Sequence, residues 1–154
     1  MSNNPIKHFS TYLECSVTTT PKISALKDFI SMLSKMGYNE FYLGLTDAYK
    51  IPEYPYFNYK RGYYSKEELL DLEEFGQSVG VTIIPAIQVL GHLEYLKRHG
   101  CFQDMLDNRC ILEVGNPKAY EFLDCMLKSI SESFKGRRVH VGMDETFGIG
   151  TGNY

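Results

Sequence analysis

The chain has 154 residues, 44% of them hydrophobic, and a formal charge of −3. That length carries one real core and makes one soluble domain the expectation, while the charge gives no electrostatic reason for nucleic-acid or anionic-membrane binding. No apolar run is long enough to cross a bilayer, and Met1 to Lys7 has no long apolar stretch behind a basic start, so a cytoplasmic location is expected. Cys15, Cys101, Cys110 and Cys125 show no CxxC pairing and lie in or beside apolar segments, which suits reduced thiols better than a disulfide framework or a zinc site.

In chain order, Phe9 to Cys15 reads as a short strand. Pro21 then opens a segment whose Ile23, Leu26, Ile30 and Leu33 recur at helical spacing, with Gly37 as its C-terminal cap. Glu40 to Leu45 reads as a second strand. Ser65 and Glu68 form a capping-box pattern ahead of Leu69, Leu72 and Phe75, and Gly80 ends that helix. Val81 to Val89 is apolar enough to be buried on both faces, as a parallel sheet requires, and Pro85 inside it predicts a bulge or irregularity. After a turn at Gly91 and His92 comes a less regular region. Asn116 and Pro117 then cap a third helix with Ala119, Leu123, Met126, Ile130 and Phe134 along one face, and Arg138 to Met143 forms a fourth strand.

Alternation of strand and helix implies right-handed crossovers and an α/β fold with a parallel sheet. The C-terminal ends of the strands then share one rim, where Asp47, His92, Asp144 and Glu145 fall. A (β/α)8 barrel of TIM type takes about 250 residues, so there is room for only roughly its first four β/α units. The alternative is an open, doubly wound sheet. A partial barrel also exposes strand edges, which invite self-association.

His140-Val141-Gly142-Met143-Asp144-Glu145 is the most telling segment, because an apolar strand ends there in two adjacent carboxylates. Two acids side by side in a dry pocket cannot easily both ionise, which separates them into acid and anion roles. Consecutive strand side chains point to opposite faces, so both acids serve one site only where regular pleating breaks. Gly148, Gly150 and Gly152 make such a break plausible.

The hexapeptide, the Leu45-Thr46-Asp47 strand end, the stretch Tyr59 to Glu68 and Gln88-Val89-Leu90-Gly91-His92 together resemble the catalytic barrel of glycoside hydrolase family 20, the β-N-acetylhexosaminidases. The resemblance runs over nearly the whole chain. It implies a glycosidase that removes a terminal β-linked N-acetylglucosamine or N-acetylgalactosamine with no cofactor, the nucleophile being the sugar's own acetamido oxygen. Glu145 would protonate the departing oxygen and then activate water. Asp144 would orient the acetamide and stabilise the oxazolinium, and His92, backed by Asp47, would contact the acid. His140 would pack inside the barrel. The family's first strand usually supplies a basic residue to the ring hydroxyls, whereas Phe9 to Thr20 contains none and places Glu14, Val17 and Thr18 near the expected positions.

Other readings accompany these residues. The tyrosines from Tyr49 to Tyr64 either line a sugar site, with Tyr49 the candidate for substrate binding, or pack over the barrel mouth. Lys60 and Arg61 read as surface or loop-anchoring charges, and Glu94, close to His92 in sequence, as an exposed helix position or else a substrate contact. Two competing functions are a truncated sugar-binding remnant without turnover and a metal-dependent hydrolase using His92, His140, Asp144 and Glu145, for which no recognised ligand spacing speaks.

Overall fold

The computed structural model describes residues 7–16, 19–108 and 110–152. Three strands, β1 (Ser10–Glu14), β2 (Glu40–Gly44) and β3 (Thr82–Ala86), form a parallel sheet in the order β1-β2-β3. Helices α1 (Ile23–Lys35), α2 (Lys66–Ser78) and α3 (Pro117–Ser133) alternate with them. The irregular stretch after β3 holds two 3₁₀ segments, Glu94–Arg98 and Gly100–Met105. No helix among the described residues is long and apolar enough to cross a membrane.

The helix boundaries follow local chemistry. At α2 both halves of the capping box are made: the Glu68 amide donates to the Ser65 hydroxyl at 3.2 Å, and the Ser65 amide donates to the Glu68 carboxylate at 2.8 Å. At α3 the Asn116 side chain accepts from the Lys118 amide, with Pro117 at the first helical position, where its missing N–H costs nothing. Alternation along the strands sends Leu13, Phe41, Leu43 and Ile83 to the helix-covered face, where they join Leu26 and Ile30 of α1 and Leu69 and Leu72 of α2 in one core. Each fully buried aliphatic or aromatic side chain there contributes about 1.5–3 kcal/mol. The opposite face carries Tyr12, Glu14, Glu40 and Tyr42. Burial pushes the Glu40 carboxyl up, but hydrogen bonds from Arg138 and His8 outweigh it and hold the group below its ordinary value.

Two expectations about the strands are corrected. Pro85 makes no bulge, because β2 and β3 run in continuous register with Leu43 opposite Pro85. Leu45 donates to Ala86 on the β2 side, whereas the Pro85 carbonyl faces the other way and accepts from His140 at 2.9 Å. The proline's missing donor therefore lies on the side away from β2. The fourth strand shrinks to a parallel bridge between Ala86 and His140, closed by the His140 amide to Pro85 and the Ile87 amide to His140. Among the described residues it has a neighbour on one side only, so its exposed flank adds no pairing energy to lengthen it. The fold is thus three complete units of a TIM-type barrel and the opening of a fourth. All four cysteines are free thiols, and burial pushes Cys15 up to about 12.

Candidate active site

The end of β1 and three rim loops converge at the C-terminal strand ends on a cavity of about 720 Å³ whose lining includes Glu14, Asp47, Arg61, His92, His140 and Asp144. Four non-glycine residues of these loops have left-handed backbone: Thr46 at φ 33°, Lys60 at φ 59°, His92 at φ 57° and Glu145 at φ 47°. Such positions cost energy and persist where surrounding packing over-determines them, which they do most often at functional sites.

The pleat breaks within the hexapeptide, ahead of the glycines that follow it. Gly142 has φ 44°, and a side chain there would meet the Ile87 carbonyl oxygen and the Gln88 side chain, so only glycine lets the segment lie against the end of β3. With a second break at Glu145, consecutive carboxylates reach one partner: His92 Nε2 stands 3.6 Å from Asp144 Oδ2 and 3.6 Å from Glu145 Oε2. These are ion-pair distances, too long for direct hydrogen bonds. Gly91 lets the histidine loop approach closely, since a Cβ there would sit 3.3 Å from the Asp144 carbonyl and 3.2 Å from Thr146 Cγ2. The Asn108 side chain ties down the tail by donating to the Gly148 carbonyl at 3.0 Å. The acids remain wet, with side chains 60% and 64% exposed, so the dry pocket that would separate their roles is not closed by this chain alone.

Asp47 differs. It is 1% exposed and its carboxylate pairs with Arg61 Nε. Burial pushes its pKa up, and the Arg61 charge opposes that rise. Among the described residues Asp47 thus pairs with Arg61, while His92 pairs with the two rim acids. Arg61 anchors its loop as the sequence implied, yet it also lines the cavity, a role that no local pattern announces.

Tyr49 is placed in the core rather than at the cavity: it is 2% exposed and packs edge to face on Phe57 at 5.1 Å. Its geometry corrects the reading of Tyr49 as a substrate-binding residue. Glu14 does reach the cavity, where it accepts from the hydroxyls of Tyr12 and Ser16, and Gly44 leaves the space that this pair occupies. Val17 and Thr18 lie outside the described residues. His140 faces the open inner side of the sheet, edge to face with Tyr42, and its Nδ1 accepts from the Gly142 amide at 3.2 Å. Of the four ligands imagined for a metal, His92, Asp144 and Glu145 bring donor atoms within 4.8 Å of one another, while His140 is engaged elsewhere. Glu94 is exposed and lines the cavity wall.

Comparison with known proteins decides the family. The model of the glycosyl hydrolase family 20 catalytic domain matches residues 20–149. The chain belongs to that family. It is 25% identical to a β-hexosaminidase of Vibrio furnissii over 90% of this chain and 29% of that protein, and 24% identical to human hexosaminidase D over 86% and 28%. Among solved structures it superposes on the Flavobacterium johnsoniae chitobiase with a TM-score of 0.82 at 22% identity, covering 92% of this chain and 24% of that one. An exo-β-N-acetylglucosaminidase of Vibrio harveyi, solved in complex with N-acetylglucosamine, gives a TM-score of 0.81 at 23% identity, covering 96% and 29%. This family 20 chain therefore spans 28–39% of the length of the curated relatives it matches.

Proposed function

We propose that this chain carries the acid and amide-orienting part of a β-N-acetylhexosaminidase acting on terminal β-linked N-acetylhexosamine. The reading rests on one observation above all: Asp144 and Glu145, adjacent in sequence, both reach His92 at 3.6 Å on a backbone broken at Gly142 and Glu145. Acid and orienter must act within one sugar ring of each other, and adjacency on a broken strand meets that requirement.

In the first step Glu145 donates its proton to the glycosidic oxygen as the bond to the anomeric carbon breaks. The acetamido oxygen forms the new bond to that carbon, giving an oxazolinium. Asp144 accepts from the acetamide N–H, holds the carbonyl under the anomeric carbon and offsets the positive charge. In the second step the Glu145 carboxylate takes a proton from water as the water oxygen attacks the anomeric carbon and the ring opens back to the acetamide. Two inversions leave the configuration retained, without the enzyme nucleophile of ordinary retaining glycosidases. Asp47 acts in this scheme by holding Arg61 in the cavity wall.

The test is hydrolysis of chromogenic N-acetyl-β-glucosaminide and galactosaminide by the purified chain, with the anomer of the product read by NMR. Turnover that vanishes in Glu145→Gln and yields the β-anomer is expected. Inverted product sinks the substrate-assisted scheme, as does activity lost to chelator and restored by metal. The 60% and 64% exposure of the two acids favours, as a second reading, a sugar-binding piece that lacks turnover by itself; folded, inactive protein that binds N-acetylglucosamine decides for it. Free thiols support a reducing, cytoplasmic compartment, and the one-sided strand at His140 supports pairing with another chain, which light scattering of a monodisperse monomer would exclude.

A further inference from the structure

The hexapeptide leans on little backbone pairing: among the described residues its strand is the one bridge of His140 to Ala86. Two buried carboxylates that the hydrolytic scheme leaves unused hold the residues leading into it. Glu73 of α2 is 2% exposed and accepts from the Lys135 amide at 2.6 Å and the Gly136 amide at 2.8 Å. Glu40 opens β2 on the face opposite the helices and is 4% exposed. Its Oε1 meets Arg138 Nη2 at 2.6 Å and His8 Nδ1 at 2.7 Å. Two residues further along both strands, Tyr42 and His140 meet edge to face at 6.0 Å. β3 runs between the two strands. Their side chains thus touch across it in two successive layers on the inner face, as those of alternate strands do in a TIM-type barrel.

The two carboxylates control different things. Glu73 grips main chain, so it fixes where the lead-in starts but not which way the following side chains face. Arg138 supplies the facing. Side chains alternate along a strand, so Arg138 and His140 turn inward together, and turning the segment over sends all of its side chains to the other face. A single backbone bridge resists such a turn weakly. The ion pair resists it more, because a turned segment leaves the buried Glu40 carboxylate without its arginine. Beyond His140 the chain breaks at Gly142, and the face on which that break falls decides whether Asp144 and Glu145 point toward His92. We infer that Glu40 and Arg138 are positioning residues of the acid pair: their contact across β3 fixes the face of the segment and with it the aim of both acids. The consequence for turnover rests on the hexosaminidase reading, whereas the aim itself does not.

The experiment compares the full chain with Arg138→Gln, Glu40→Gln and Arg138→Lys by protein-observed NMR, well below the melting temperature. It reads the amide signals of Val141 to Glu145 and the cross-peaks between the His92 ring and the side chains of Asp144 and Glu145. Both glutamine variants are expected to displace those amide signals and lose the cross-peaks, with the signals of Leu69 and Leu72 in α2 unmoved. Arg138→Lys, whose ammonium can make the same single contact to Glu40, keeps both. Ser65→Ala, a loss of stability at the start of α2, moves neither. On a chromogenic hexosaminide the glutamine variants lose about 10²-fold in kcat/KM, the scale of a 1 Å misplacement, and Arg138→Lys recovers most of it. Rim signals that stay in place in both glutamine variants, or that move as far in Arg138→Lys, overturn the inference and leave the hydrolase reading standing. Signals that move as expected, in a chain that hydrolyses no hexosaminide before any substitution, uphold the positioning role and overturn the hydrolase reading.

Discussion

Asp47 and Asp144 each follow a strand on the same rim, yet one side chain is buried and charge-paired while the other is mostly in water. The difference lies in what surrounds the two strand ends. β2 is the central strand, with neighbours on both sides, and the loop after it folds Ala48, Tyr49, Ile51 and Phe57 into the core. The segment carrying Asp144 is paired on one side, and Phe147 just beyond it is 71% exposed. Around Asp47 this chain supplies its own packing and therefore its own electrostatics. Around the acid pair it supplies direction but not enclosure.

The sharpest test of that contrast is chemical. Glu145→Gln is expected to lower any hexosaminide turnover about 10²–10⁴-fold while leaving the thermal midpoint nearly unchanged, because an exposed side chain leaves no gap in the core. A large loss of stability instead would mean that the acid end is as built-in as the Asp47 end. Next in size is Gly142→Ala, which forces a side chain onto the Ile87 carbonyl at a left-handed φ. We expect a loss of about 1–3 kcal/mol in denaturant unfolding and displaced NMR signals for His92, Asp144 and Glu145. Ser65→Ala removes one half of the capping box that starts α2, at about 1 kcal/mol, and leaves the rim signals in place.

The smallest effect is a difference in pH slope. Burial raises the Asp47 pKa in the folded chain, so folded protein holds that proton more tightly than unfolded protein does. Its contribution to stability is full below the unfolded value and is lost as pH rises through the folded one. Asp47→Asn should therefore gain in thermal midpoint over the unsubstituted chain as pH climbs from about 4 to 7, and Arg61→Gln should lose, since it removes the charge that opposes the rise. Glu40 runs the other way, its contribution fading as pH falls, and it cancels because all three proteins share it. Parallel melting curves across that range would erase the distinction drawn between the two aspartates.

What the sequence discloses and what it hides divide along the same line. The Ser65–Glu68 box, the Asn116–Pro117 start and the alternation that buries Phe41 and Leu43 are local signals, read from residues a few positions apart. The paired acids of the hexapeptide are legible for the same reason, whereas the break that aims them lies at Gly142 and Glu145 and not at the later glycines, which only the close approach of Ile87 and Gln88 reveals. Arg61 is another matter, because its partner lies 14 residues away across a loop whose course no periodicity fixes. Tyr49 belongs with it: a tyrosine has a body fit for a core and a tip fit for a ligand, and only packing on Phe57 settles which end matters. The length of the fourth strand was overestimated because an apolar run shows the capacity to pair, not the presence of partners.

Pro85 sets a stop for the whole signature segment. On the free side of β3 it offers a carbonyl and no donor, so His140 is the first residue whose amide and carbonyl are both answered, at Pro85 and Ile87. Sliding the segment two residues toward the beginning of β3 would point the His140 carbonyl at the proline ring and forfeit that bond. One imino acid in the neighbouring strand thus works as a ruler, measuring off from its own position how far beyond the sheet the two carboxylates stand.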